Sequence, residues 1–295
     1  MSVDGIGLHT GVKSTLSIAP SIENSGIVFK RIDLKGEPTI PADVDYVVNT
    51  NRGTTLERNG VSIHTVEHVL AALRGLDVDN ATIELDGPEP PIMDGSALPF
   101  VQLLKEAGTF QQDAISQTFK IVEPFHYKDD NSEIEIHILP YNNTKITFFM
   151  DYGLTKFGLQ YASIEDVKNE FVKEIAPART FGLLSEVTTL KQDGLIKGGE
   201  LDNAIIVVDK KVSKKEQGIL SKLFGLNESQ IFKNGEVLNK DGLRFENEPV
   251  RHKVLDLIGD LTLFGKPIIG HFIATRSGHR SNIELIRKLR QIVKS

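Results

Sequence analysis

The sequence belongs to an α+β protein built from two related domains. Strand-like and helix-like segments mix in both halves. A polar, unpatterned stretch, "TFQQDAISQ", parts the halves near residues 109–117. One pattern, V-x-H-x-[LV]-x-x-L-x-G, occurs in each half, from Val66 to Gly75 and from Val250 to Gly259. We therefore divide the chain into domains 1–112 and 113–295.

In the first half, Val12, Leu16 and Ile18 mark an early strand. "GIVFKRID" and "NATIELDG" read as further strands, the second through alternation of Ala81, Ile83 and Leu85. "HTVEHVLAALRG" reads as a helix with Val66, Val69, Leu70 and Leu73 on one side and Gly75 as its C-cap. "PEPPIMDGS" is a turn-rich loop, and Ser96 is placed to cap a helix that stops at Gly108.

In the second half, "SEIEIHIL" alternates with Ile134, Ile136 and Ile138 on one face, and "TKITFFMDY" follows as a strand. "SIEDVKNEFVKEIA" reads as a helix ended by Pro177, and "NAIIVVD" as a buried strand. "SKKEQGILSKLFG" opens with a capping box, Ser213 and Glu216, and closes at Gly225. "VRHKVLDLIGDL" is a helix, "PIIGHFIATR" a strand, and "IELIRKLRQIV" a final helix.

With 295 residues the chain is long enough for two cores. Hydrophobic residues at 40% and charged residues at 25% make an ordinary globular balance. The net charge of −6, with no block of like charges, argues against a nucleic-acid binder. No apolar run is long enough for a membrane span, and no signal peptide is visible. There are no cysteines, which fits the cytoplasm and excludes thiolate chemistry, so any metal must sit on His, Asp or Glu.

The "VRHKVLDLIGDL" helix carries an unusual column. His252, Asp256 and Asp260 fall at i, i+4 and i+8, within about 80° of one face. The repeat offers a second histidine, His68, from the matching helical position. If the two domains pack as a pseudo-symmetric pair, His68 and His252 meet at their interface, where pockets tend to form. His68, His252 and Asp256 would then supply three ligands and leave one position open, as catalytic zinc requires. Glu67 points about 100° around its helix from His68 and suits a general base. Ser277 to His279, "SGH", ends the strand after the second helix and aims His279 back at Asp260. A carboxylate partner would favour the cationic imidazole.

The competing reading of H-x-x-x-D on a helix is a surface pair or a satisfied core histidine. His64 also has ligand spacing to His68, but it lies where the helix is only starting. His126 and His137 read as surface residues, and His271, between Ile269 and Ile273, reads as core. Two histidines and one carboxylate also describe the facial triad of non-haem Fe(II) oxygenases. A non-catalytic metal-binding module is a third reading.

Six ordered motifs, "TVEHVLAAL", "PIMDGSALPFV", "ARTFG", "GGELDNAIIVVD", "LRFENEPVRHKVLDLIGDL" and "SGH", resemble the UDP-3-O-acyl-N-acetylglucosamine deacetylases of lipid A biosynthesis. The resemblance covers nearly the whole chain. It implies two α+β domains, each layering helices against a sheet, with the active site between them. It implies a cytoplasmic, zinc-dependent hydrolase that removes acetate from a UDP-glucosamine bearing a 3-hydroxyacyl chain, with Fe2+ able to replace zinc. By motif, His68, His252 and Asp256 match the metal ligands and Glu67 the general base acting on the metal's water. His279 and Asp260 match the electrostatic or acid pair, Thr180 a hydroxyl beside the reacting oxygen, and Lys253 a substrate-contacting lysine. Phe181, Leu190 and Ile196 fall in a β-α-β insert near 178–210 that resembles the family's acyl passage. Two departures stand out: a short N-terminus that looks to lack an edge strand, and an insertion at "SKKEQGILSKLFGLNESQ". Some members are fused to a dehydratase, which makes such a domain a candidate partner.

Overall fold

The computed structural model describes residues 1–153, 158–192, 194–210 and 237–294, with 212–214, 217, 218, 220 and 224. Glu216 and Gly225, the expected capping partner and stop, lie outside the described residues, as does most of the expected insertion.

The first half contains β1 (Ser2–Ile6), β2 (Lys13–Pro20), β3 (Ile27–Arg31) and β4 (Thr39–Pro41). A small antiparallel sheet follows: β5 (Val47–Asn49), β6 (Thr55–Arg58) and β7 (Val61–Ile63). Then come α1 (Glu67–Gly75), β8 (Ala81–Leu85) and α2 (Leu98–Ala107). The main sheet runs β1-β2-β8-β3-β4. An edge strand is therefore present at the N-terminus, contrary to the sequence reading. Every residue of Ser2–Ile6 pairs with β2, but its half-exposed alternation with two small residues carries little strand signal.

The second half contains β9 (Phe119–Lys120), β10 (Phe125–Lys128), β11 (Glu135–Leu139), β12 (Thr144–Asp151) and β13 (Leu159–Ile164). After α3 (Val167–Glu170) the chain continues as a π-type turn at Phe171–Ile175. A parallel β-α-β unit follows, made of β14 (Phe181–Leu183), α4 (Leu184–Gln192) and β15 (Ile205–Val207). The half closes with α5 (Glu248–Thr262), β16 (Ile268–Thr275) and α6 (His279–Lys294). Its sheet runs β10-β11-β16-β12-β13, with β9 attached to β16.

The two main sheets share one topology. With β9 set aside, the fifth strand of each enters between the second and third, antiparallel to one and parallel to the other. In each, the helix before that fifth strand carries the repeated histidine pattern. This duplication is what the internal match in sequence reflects.

Each sheet turns one face inward. The alternating burial of β3, β8, β11 and β16 follows the two-residue strand period. The inner faces cover α1 and α5, and one continuous apolar core includes residues of both halves. Both helices are buried almost all round. His271 is a correction to the sequence reading. It lies on the outer face of β16, half-buried, with Nε2 3.0 Å from Thr147 Oγ1. Its apolar neighbours Ile269 and Ile273 share that outer face, so period-two alternation alone could not tell inside from outside.

Two glycines of the repeat serve close approach. Gly75 ends α1, and the C-cap is Leu76. A Cβ at Gly75 would sit 2.0 Å from the buried Phe171 ring, so packing, not left-handed backbone, requires glycine there. A Cβ at Gly259 would sit 2.2 Å from the Glu67 carbonyl oxygen and 2.9 Å from its Cα. Only a glycine lets α5 approach the backbone of α1 so closely. Gly108, by contrast, ends α2 at φ 76°, the expected glycine stop. The expected cap, Ser96, lies one residue too early: the N-cap is Ala97, which makes no side-chain cap bond, although Leu98 N donates to Ser96 Oγ at 3.2 Å.

Gly259→Ala is expected to lower the unfolding free energy by about 3 kcal/mol, the upper part of the usual overpacking range. Chemical denaturation measures this. A loss under about 0.5 kcal/mol would mean that the two helices are not locked at this contact.

Candidate metal and catalytic site

The crossing of α1 and α5 brings the repeated histidines together. The His68 and His252 rings lie 5.0 Å apart, edge to face. His68, His252 and Asp256, all buried, place one ligand atom each within 4.8 Å of one another. His252 Nδ1 lies 3.0 Å from the Ala178 carbonyl, which fixes it as N–H donor and leaves the Nε2 lone pair free. That Nε2 faces Asp256 Oδ1 at 3.3 Å. His64 lies before α1, held to Thr55 Oγ1 at 3.1 Å, outside the cluster.

The protonation states suit a metal. Burial pushes His68 down to about 3 and lowers His252, so both imidazoles are neutral at physiological pH. Burial would raise Asp256, but Lys253, His252 and His279 outweigh it and hold the carboxyl well below the usual range. His68 Nδ1 is buried without a hydrogen-bond partner. Two neutral imidazoles and one carboxylate at this spacing fit a tetrahedral ion with bonds of about 2.0–2.2 Å and one open position. The same donors fit Fe2+.

Asp256 also faces a second group. Glu67, Asp256 and His279 form another close cluster, with His279 Nε2 3.8 Å from Glu67 Oε1 and 3.9 Å from Asp256 Oδ2. Burial raises Glu67 to about 7, against the pull of His279. Burial would lower His279, but Asp260, Asp256 and Glu67 prevail and raise it to about 9. A carboxyl poised near neutrality thus stands beside an imidazolium. His279 is the first residue of α6, and its Nδ1 lies 2.9 Å from Asp260 Oδ2.

Lys253 donates to Asp256 Oδ2 at 2.9 Å, and its Nζ lies 5.7 Å from the centroid of the Phe181 ring. Asp256 outweighs the burial of Lys253 and holds it charged. A cleft of about 330 Å³ opens over these groups. Thr180, Phe181, Leu183, Tyr152, Leu8 and Arg52 line it with the two clusters, and Arg276 and Arg280 reach it as well. Leu190 and Ile196 do not line it. Ile196 packs against a small separate core made of Leu184, Val187, Ile206, Leu220 and Leu238. Asp260 stands just behind the cleft, reaching it through His279. Glu67, His68, Thr180, Phe181, His252, Lys253, Asp256 and His279 all border one space.

Sequence reasoning missed the groups that hold these in place. Thr54 donates from its backbone to Glu67 Oε2 at 3.0 Å and from Oγ1 to Asp260 Oδ1 at 2.6 Å. Asn282 donates to Asp260 Oδ2 at 2.8 Å. Thr65, just before α1, has φ 54°, rare for a β-branched residue. Its hydroxyl is tied to the buried Glu89 at 2.6 Å, and Glu89 also takes the amides of His9 and Thr10. Arg179 and Glu248 make a buried bidentate pair at the start of α5. Beside Thr54, a Cβ at Gly53 would stand 3.1 Å from Glu67 Oε1, an approach that the sequence does not show.

Known proteins resemble this chain over nearly its whole length. The sequence model of the UDP-3-O-acyl N-acetylglycosamine deacetylase family matches residues 1–224 and 220–291. The chain belongs to this family. It is 42% identical over 288 residues to a UDP-3-O-acyl-N-acetylglucosamine deacetylase of Myxococcus xanthus, covering 98% of this chain and 83% of the relative. A protein of the same name from Acidithiobacillus ferrooxidans is 41% identical over 287 residues, 97% and 86% of the two chains. The "Bifunctional enzyme LpxC/FabZ" of Chlorobaculum tepidum is 43% identical over 293 residues. The alignment covers 99% of this chain and 62% of that relative, so the chain spans less than two thirds of the bifunctional relatives. No described helix is long and apolar enough to cross a membrane.

After loading with zinc, His68→Ala and His252→Ala are each expected to hold no metal at this cluster, while His64→Ala retains it. Metal analysis of the three purified variants after dialysis reads this directly. Zinc lost from His64→Ala and kept by His68→Ala would reverse the assignment.

Proposed function

We propose that the chain is a metal-dependent deacetylase. It hydrolyses the acetamide of a UDP-3-O-acyl-N-acetylglucosamine, a step of lipid A biosynthesis. One observation carries the reading: a buried His68–His252–Asp256 ligand set shares its carboxylate with a Glu67–His279 pair at one cleft. The family membership supports the substrate class. A second domain, such as the one joined to the bifunctional relatives, is a compatible partner.

His68, His252 and Asp256 would hold a divalent ion, which would supply Lewis acidity to the amide carbonyl and lower the pKa of a nearby water. Glu67 takes a proton from the water that attacks the carbonyl carbon. The carbon–nitrogen bond then breaks, acetate forms, and the glucosamine nitrogen accepts a proton. His279, held cationic by Asp260, stabilises the developing oxyanion and donates toward the leaving nitrogen. Thr180 and Lys253 border the same space and are assigned to the reacting oxygen and to substrate. The diphosphate is assigned to the cations along the cleft, Arg52, Arg276 and Arg280. Glu67 and His279 close one flank of the metal cluster, which suits hydrolysis better than an oxygenase needing three open positions.

The acyl chain is assigned to the apolar side of the cleft, at Phe181, Leu183 and Leu8. This replaces Leu190 and Ile196 as the contacts, since neither reaches the cleft. Each buried methylene contributes about 0.8 kcal/mol. Part of that binding can be expressed at the amide.

Glu67→Gln should keep stoichiometric zinc and lose roughly 10²–10⁴ in kcat, the usual range for a general base. Near-normal turnover would remove Glu67 from the mechanism. The pH profile of kcat/KM should be a bell. Glu67 works deprotonated, so activity rises as pH climbs to its value of about 7, or lower with a cation nearby. His279 works protonated, so activity falls as pH rises through about 9, or lower for the same reason. His279→Gln should flatten the basic limb, and an unchanged bell would remove His279 from that role.

Substrates with truncated acyl chains should lose at least about a hundredfold in kcat/KM, which is about 2.7 kcal/mol. Leu183→Glu should erase most of the difference with zinc still bound. Equal turnover of short- and long-chain substrates by the unmodified protein would end the acyl assignment.

A further inference from the structure

Outside the catalytic cleft, one more cluster of ligand-type side chains converges on the outer face of the second sheet. His126 on β10 and His137 on β11 are directly paired across the two strands. Their rings stack at 4.1 Å with an interplanar angle of 4°. Glu135, two residues before His137 and so on the same face, points one oxygen at both. Its Oε2 lies 3.9 Å from His126 Nε2 and 3.6 Å from His137 Nε2. Its other oxygen, Oε1, takes Lys128 Nζ at 3.3 Å. One ligand atom from each of the three residues lies within 4.8 Å of the others.

We propose that His126, Glu135 and His137 form a second divalent metal site, independent of the catalytic one and selective for borderline transition metals. With bonds of about 2.1 Å, two ligands on one ion lie roughly 3.0–4.2 Å apart, from right-angled to opposed. The two His–Glu separations already fall in that range, so an ion can enter with small side-chain rotations. Two imidazoles and one carboxylate choose Zn2+, Ni2+ or Cu2+ over Mg2+ or Ca2+. The side chains are 46%, 38% and 44% exposed in the order His126, Glu135, His137. Water therefore completes the coordination, and entry needs no opening of the fold. Sequence spacing conceals the site, because the two histidines come from different strands and meet only through the register of the hairpin. β10 is the edge strand of its sheet. A bound ion would cross-link it to β11, whose other neighbour is β16.

The test is a Ni2+ titration of the zinc-loaded full chain, followed by calorimetry and compared with His126→Ala/His137→Ala and with Glu135→Gln. The unmodified protein should bind one more Ni2+ per chain than the double variant. Glu135→Gln should weaken that equivalent at least tenfold. Far-UV circular dichroism should be unchanged in both variants, as should their catalytic zinc and deacetylation rate. The ring resonances of His126 and His137 should broaden first as Ni2+ is added. If the double variant binds as many Ni2+ ions as the unmodified chain with equal affinity, or if other histidines broaden first, the site does not exist.

Discussion

Everything in the cleft depends on how closely α5 can approach α1. The contact is made at Gly259 against the backbone of Glu67, where even a methyl group would collide. It sets His68 beside His252, and it sets Glu67 beside His279 and Asp256. Both helices are buried almost all round and their apolar residues join one continuous core, so tightly packed side chains fix their separation. The geometry of the proposed ligands is thus set by the packing of the core. Catalytic constellations need that rigidity, since small misplacements are costly.

The polar column of α5 is the second constraint on the cleft. An imidazole and two carboxylates buried on one helix face would be strongly unfavourable if left unpaired. Each has a partner from another element or the next turn. His252 is fixed by Ala178, Asp256 is balanced by Lys253, and Asp260 is shared among Thr54, His279 and Asn282. The result is a set of buried groups pushed apart in proton affinity: histidines held neutral, one histidine held charged, and Glu67 near neutrality. Divergent pKa values in one site are what acid–base chemistry requires. Asp256 belongs to both clusters, so binding of a cation and the charge on His279 are electrostatically linked.

Much of this was legible in the sequence. The helices at 67–75 and 248–262, the strands around Ile83 and Phe272, and the paired histidines all followed from periodicity and an internal repeat. Repeated patterns are readable because the duplicated topology needs the same residue types twice. The positioning groups were not legible. Thr54 acts across 206 positions of sequence to reach Asp260, and Glu89 acts on loops 24 and 79 residues away. Neither sits in a periodic segment. The small β5–β7 sheet has strands of three or four residues, too short for alternation to declare itself. The apolar run after Thr180 misled in detail, because Ile196 packs against the small separate core while Phe181 and Leu183 face the cleft.

We propose that the two duplicated helices together build one metal centre, with Glu67 beside it but not bound to it. Anomalous scattering from crystals of the purified zinc-loaded chain, recorded at the zinc edge, tests it most directly. A peak is expected within about 2.0–2.2 Å of nitrogens of His68 and His252 and an oxygen of Asp256, with both Glu67 oxygens beyond bonding distance. A peak ligated by His64, or by Glu67 in place of Asp256, would contradict it.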